Sequence, residues 1–364
     1  MTKEQIIDAL RHVNDPDLHK DLVTLNMIEN VAVNGNNVSF TVVLTTPSCP
    51  LKDKIAADCV AAVKQYVNSD AEVHVNLESR VTSLRKDKKD LLPGVKNIIA
   101  VASGKGGVGK STVSVNLALS LAKTGAKVGI IDADIHGPSI PIMLGIKGKR
   151  PNVKQIDGKH YIVPIEQYGL KVVSIGLLVD ERQAVVWRGP MVSSALRQFV
   201  TDVIWGDLDY LVLDLPPGTG DIHLSLVQTM PVTGAVIVTT PQAVALSDAR
   251  KGMGMFHMDG IKVPIIGVVE NMAYFTPAEL PDNKYYIFGK GGGKQLADEF
   301  DVPFLGEIPL VQSIREGGDR GTPVVLGDDE ITKQAFLNFA AAAERNIAII
   351  NSGIVSKIND VVAV

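Results

Sequence analysis

The sequence predicts an α/β protein, a mostly parallel, doubly wound sheet preceded by a small αββαβ unit. Three observations carry this. From Asn97 onward, β-rich apolar runs alternate with helical ones, the pattern of parallel strands joined by covering helices. Residues 1–80 instead place two strand patterns back to back between helical ones. A glycine-rich run, Gly104 to Thr112, then separates the first strand of the larger region from its helix.

The elements follow in order. Thr2, with Gln5 three positions on, makes a capping box for a helix over 2–12, which Asp15-Pro16-Asp17 ends. Alternating runs over 28–33 and 38–44 flank Asn34-Gly35-Asn36-Asn37, a hairpin signal. A helix over 50–67 and a strand over 71–77 complete a domain spanning 1–80. Residues 81–96 mix charges from Arg85 to Asp90, break at Pro93-Gly94, and read as a linker. The domain over 97–364 has strands at 97–102, 127–132, 171–175, 209–214, 235–240, 265–270 and 303–305. Its last helix, about 330–349, is alanine-rich and lacks the basic face of a membrane-surface anchor.

Composition bounds the function. Of 364 residues, 46% are hydrophobic and 21% charged, as in soluble globular proteins. A net charge of -4 argues against a nucleic-acid partner. No apolar run approaches the roughly 18 residues of a membrane span, and the first residues lack a signal-peptide core. Two cysteines, Cys49 and Cys59, make no disulfide framework. A cytoplasmic protein without a membrane partner is expected.

Gly104-Lys105-Gly106-Gly107-Val108-Gly109-Lys110-Ser111-Thr112 fills the pattern G-x-x-x-x-G-K-[ST] between a strand and a helix, so the sheet is expected to be that of a P-loop NTPase. Glycines let successive N–H groups turn inward onto phosphate oxygens, and the following helix N-terminus favours an anion. Lys110 is expected on the β- and γ-phosphates of ATP and Ser111 on Mg²⁺. Asp214 ends an apolar strand, where ligands of open α/β sheets bind, and is the second expected Mg²⁺ partner. The following Pro216-Pro217-Gly218 places the Gly218 N–H as a γ-phosphate contact on a switch loop. Ile130-Ile131-Asp132-Ala133-Asp134 is a second strand ending in carboxylates. Asp134 is expected to orient the attacking water and Asp132 to support the metal, although both could simply cap a turn. Lys105 either faces solvent or reaches a nucleotide on a neighbouring subunit.

Lys105 to Thr112 resembles the deviant phosphate loop of the MinD/ParA/nitrogenase-reductase ATPases. Asp132 to Ser139, Trp187 to Met191, Trp205 to Tyr210, Asp214 to Asp221 and Glu270-Asn271-Met272 resemble the Mrp/ApbC iron–sulfur carrier branch of that class. Thr45 to Pro50 and the unit around it are similar to the small PaaD-like domain fused to such carriers. The resemblance implies an ATP-bound homodimer in which Lys105 crosses to the partner's phosphates. It also implies that Asn271 reads the adenine edge beside Ile308-Pro309-Leu310, though an Asn after a strand could equally cap a turn.

One departure stands out. The branch usually carries Cys-x-x-Cys soon after the Asn-Met element, and Ala273 to Pro281 has no cysteine. An iron–sulfur cluster would then rest on Cys49, whose place at a helix start favours a thiolate, or the protein assists assembly without holding one. Cys59 lies mid-helix among alanines and reads as core. The expected function is an ATP-hydrolysing iron–sulfur cluster carrier, with apoprotein acceptors or an assembly scaffold as partners. The alternative is a MinD/ParA-like switch that positions a partner and holds no cluster. Gly289 to Gln295 imitates a phosphate loop but lacks its Gly-Lys-Ser/Thr ending, and reads as a turn opening a helix. The seven histidines show no metal-ligand spacing.

Overall fold

The computed structural model describes residues 1–47, 51–83, 91–135, 137–178, 189–218, 220, 223, 226–227, 230–277, 279–280 and 282–353. The chain divides into two compact units, Met1–Leu84 with Ala348–Val364, and Arg85–Ile347. Residues from 348 on, expected in the second domain, thus group with the first. Asn351 Nδ2 donates to the Thr82 carbonyl at 2.9 Å.

In the first unit, helix α1 (Lys3–Leu10) opens with Thr2 Oγ1 accepting the Gln5 N–H while the Gln5 side chain accepts the Thr2 N–H. That reciprocal cap contributes about 1 kcal/mol. Strands β1 (Ile28–Asn34) and β2 (Asn37–Leu44) pair antiparallel across a turn in which Gly35 takes φ +59°. Helix α2 (Lys52–Tyr66) leads to β3 (Glu72–Ser79), which pairs parallel with β2. Ile6, Leu10, Phe40, Val42, Ile55, Cys59 and Val63 form the core. Burial, then the charge of Asp58, pushes the Cys59 thiol up to about 12, so Cys59 is a packing residue rather than a thiolate.

The second unit is built on β4 (Val95–Ala102), α3 (Lys110–Lys123), β5 (Val128–Asp132), α4 (Ile140–Met143), β6 (Asn152–Ile156), β7 (Lys159–Val163), β8 (Ile165–Gln167) and β9 (Leu170–Ser174). It continues through α5 (Gly189–Thr201), β10 (Leu208–Asp214), β11 (Gly234–Thr239), α6 (Ala243–His257), β12 (Ile265–Glu270), α7 (Gly292–Glu299), β13 (Phe304–Glu307), α8 (Gln312–Arg320) and α9 (Glu330–Asn351), of which the residues from Ala348 on belong to the first unit. Eight strands form one sheet in the order β13-β12-β11-β4-β10-β5-β9-β8, parallel except for the β8 edge. Val95 and Lys96, expected in the linker, belong to β4, with Val95 paired opposite Leu208. The β6–β7 hairpin and β8 are additions to the expected strands.

The strand order positions the site. The chain leaves β4, passes over to β5, and only later inserts β10 between them. The end of β4 is therefore a switch point, where a crevice opens beyond the strand ends. Helix α3 buries Val113, Leu117 and Leu121 together with Ser114 and Asn116, so it is a central helix rather than a surface one. Among the described residues, no helix is long and apolar enough to cross a membrane.

Candidate functional site

Three neighbouring strands bring the expected carboxylates together. Asp214 of β10 lies in register with Asp132 of β5, and Asp132 with Ser174 of β9. One row of polar side chains thus crosses the C-terminal ends of the sheet, with the Gly104–Thr112 loop rising from β4 beside it. Asp132, Ser174 and Asp214 are all fully buried.

Lys110 and Asp214 form a buried ion pair with Nζ 2.8 Å from Oδ1. Ser111 Oγ donates to Asp214 Oδ2 at 2.6 Å, and Ser114 Oγ donates to Asp214 Oδ1 at 2.7 Å. Asp132 Oδ2 accepts from Ser174 Oγ at 2.9 Å and from the Ile140 N–H at 3.3 Å. Its Oδ1 accepts the Asp134 N–H at 3.3 Å. Burial, and then the adjacent Asp214 charge, push the Asp132 carboxyl up to about 8, against the pull of Ser174, Lys110 and Ile140. Burial thus favours the protonated form of Asp132, next to the Lys110–Asp214 ion pair. The Asp134 backbone sits on Asp132, leaving its carboxylate half-buried just past the strand.

The loop has the conformation the glycines allow. Gly109 takes φ +80°, and a Cβ there would overlap the Asn271 carboxamide. Among the described residues, the N–H groups of Gly106 to Gly109 find no acceptor within the protein. Lys105, Gly106 and Gly107 are exposed at the crown, with Val108 and Lys110 buried below and Ser111 and Thr112 half-buried on α3. Unpaired amides around a curl, with a lysine beneath, are suited to an anion.

Two expected contacts are engaged elsewhere. The Gly218 N–H donates to the Ser103 carbonyl at 3.0 Å, tying the switch loop to the end of β4. Asn271 Nδ2 donates to the Val108 carbonyl at 2.8 Å, so its side chain braces the phosphate loop from below. Pro309 is buried in a turn stitched to this segment by Ala273 N–H to Ile308 O, at 3.0 Å, and Leu310 N–H to Tyr274 O, at 2.7 Å. Cys49 lies outside the described residues.

Sequence reasoning missed Ser114, Ser174 and His223. Ser114 follows Lys110 by one helical turn, and Ser174 ends a strand as Asp132 does, so both signals were present. His223 is buried with Nε2 2.6 Å from the Pro216 carbonyl. Burial holds its ring below the ordinary histidine range and hence neutral. Nε2 is then the donor, closing the switch loop on itself.

The family model described as NUBPL iron-transfer P-loop NTPase matches residues 94–344. The chain belongs to that family. A second model, described as an iron–sulfur cluster assembly protein, matches residues 3–75. An iron–sulfur cluster carrier protein of Synechocystis is 50% identical over 331 residues, 91% of this chain and 93% of that one. One from Deinococcus radiodurans is 47% identical over 355 residues, 97% of this chain and 95% of that one. Among solved structures, a nucleotide-binding protein from Archaeoglobus fulgidus in complex with ADP is 38% identical, with a TM-score of 0.58 over 68% of this chain and 95% of that one. The stretch that this family model matches contains the G-x-x-x-x-G-K-[ST] loop at Gly104–Ser111.

Proposed function

We propose that this iron-transfer P-loop NTPase is a homodimeric ATP hydrolase that carries iron–sulfur clusters in the cytoplasm, taking them from an assembly scaffold and delivering them to apoproteins. The observation that carries the ATPase half is the buried Lys110–Asp214–Ser111 group beneath a curl of amides that find no acceptor among the described residues. Leaving Lys110 buried without a counter-charge would cost about 3–5 kcal/mol. The phosphate tail of ATP supplies that charge, so Lys110 exchanges Asp214 for the β- and γ-phosphates.

The oxygens of Ser111 and Asp214, with Asp132 beside them, are the hard donors Mg²⁺ prefers, and these residues would hold it. When bound, the ion neutralises charge on the phosphates. Asp134 orients the water that attacks the γ-phosphorus, and the β–γ bridging oxygen leaves with ADP. The Gly218 N–H transfers from Ser103 to the γ-phosphate, which links the presence of that group to the switch loop. Lys105, exposed at the crown, reaches the partner's nucleotide across the dimer. Asn271 keeps a second N–H and its oxygen for the adenine edge, with Pro309 shaping that side.

The cluster is cargo. Among the described residues, no group of three or more His, Cys, Asp or Glu side chains is gathered to hold a metal. With Cys59 buried as a neutral thiol, Cys49 remains as the thiolate candidate, one from each protomer. Relatives matched along nearly the whole chain are named carriers, which favours this reading over a partner-positioning switch.

Two experiments test the halves separately. Phosphate release by the wild type, abolished in Lys110→Ala, is expected; release equal in both would reject the ATPase. Anaerobic reconstitution with iron and sulfide should give cluster absorption and activate an apoprotein, with both lost in Cys49→Ala. Absence of both in the wild type would reject the carrier.

A further inference from the structure

Ser114 is fully buried on α3, one turn beyond Lys110, and its hydroxyl lies 2.7 Å from Asp214 Oδ1 and 3.0 Å from the Lys110 carbonyl. A serine has one proton to give. The shorter contact is to the ionised carboxylate, and charge-assisted hydrogen bonds are the stronger kind, so the proton points at Asp214. Among the described residues, the Asp214 side chain has three partners: Lys110, Ser111 and Ser114. The first two have other tasks once nucleotide enters.

We infer that Ser114 is the positioning residue that keeps the Asp214 carboxylate aimed at the metal position after Lys110 and Ser111 have let go. This rests on the nucleotide reading above. A carboxylate with Oδ1 pinned by a buried hydroxyl cannot rotate freely about its terminal torsion, and Oδ2, the oxygen now facing Ser111, stays turned toward the loop. Without Ser114, Oδ1 would lose Lys110 to the phosphates and be left buried with no donor. Partners that orient a metal-binding carboxylate typically matter by 10–100-fold in metal affinity.

The test measures binding of a fluorescent ATP analogue to the full-length protein, first in EDTA and then across a Mg²⁺ titration. In Ser114→Ala, the Mg²⁺ concentration giving half of the metal-dependent gain should rise about tenfold. Ser114→Thr, which keeps the hydroxyl, should return it to within about twofold. Ser114→Cys preserves the side-chain shape with a weaker donor and should fall between them, which covers an alanine variant that fails to fold. A residue that only fills space would lower the unfolding temperature and leave the Mg²⁺ midpoint in place. An unchanged midpoint in a folded Ala or Cys variant would overturn the assignment. A wild type that binds no analogue would overturn the nucleotide reading itself, and one whose binding ignores Mg²⁺ would overturn the metal position and the Ser114 assignment with it.

Discussion

Two glycine-rich loops in this chain look alike and end differently. Gly104–Lys110 enters α3, and Gly289–Lys294 enters α7; both put a helix N-terminus beside the ends of parallel strands. At the second, the protein supplies its own anion. Buried Glu270, at the end of β12, accepts the Gly293 N–H through Oε2, and burial raises its carboxyl above the ordinary glutamate range. At the first, the available carboxylate, Asp214, lies behind Lys110 rather than on the loop amides, which find no acceptor among the described residues. Glycine and a helix dipole make a place for negative charge. Which negative charge fills it depends on where the neighbouring strand ends its acidic residue.

The contrast can be broken from either side. The largest effect is expected at the open loop: Lys110→Ala should weaken ATP binding about a hundredfold or more by calorimetry, since two charge-assisted phosphate contacts go. Asp214→Asn comes next. It leaves Lys110 buried without its partner, so nucleotide in EDTA should bind about tenfold tighter while the gain from Mg²⁺ disappears. Equal binding in EDTA would mean the ion pair does not oppose nucleotide entry.

At the filled loop, Glu270→Ala should cost about 1–2 kcal/mol, seen as a melting temperature lower by several degrees, because the Gly293 N–H at the start of α7 loses its acceptor. Millimolar inorganic phosphate should restore part of that in the variant alone. A variant indifferent to phosphate would show that the second loop never had an anion site to fill.

The last effect concerns Asp132. Between about pH 4 and about 8, the folded chain keeps the Asp132 proton that the unfolded chain releases, so stability falls as pH rises across that window. Asp132→Asn carries no such proton. Its melting temperature should gain on the wild type by a few degrees from pH 5 to pH 8.5 without nucleotide, and a constant difference would place the proton elsewhere.

Much of this was legible in the residues. The capping box at Thr2, the Asn-Gly hairpin and seven of the eight strands of the larger sheet depend on local pattern, which a chain carries wherever it folds. The strand–loop–helix frame of the phosphate loop is equally local. The β6–β7 hairpin had a readable Asp157-Gly158 signal between alternating runs, yet no apolar face marked it, because its strands are largely exposed.

The sequence by itself determined that a glycine-rich curl follows β4 and that carboxylates end β5 and β10, since backbone freedom and hydrophobic period are properties of short stretches. Only the tertiary structure decided that β10 inserts between β4 and β5, which brings Asp214 onto Lys110, Ser111 and Ser114 and lines it up with Asp132 and Ser174. It likewise decided that Asn271 braces the loop and that Glu270 fills the second one. Those outcomes depend on strand order and on which buried groups must find partners, and no window of neighbouring residues contains that information.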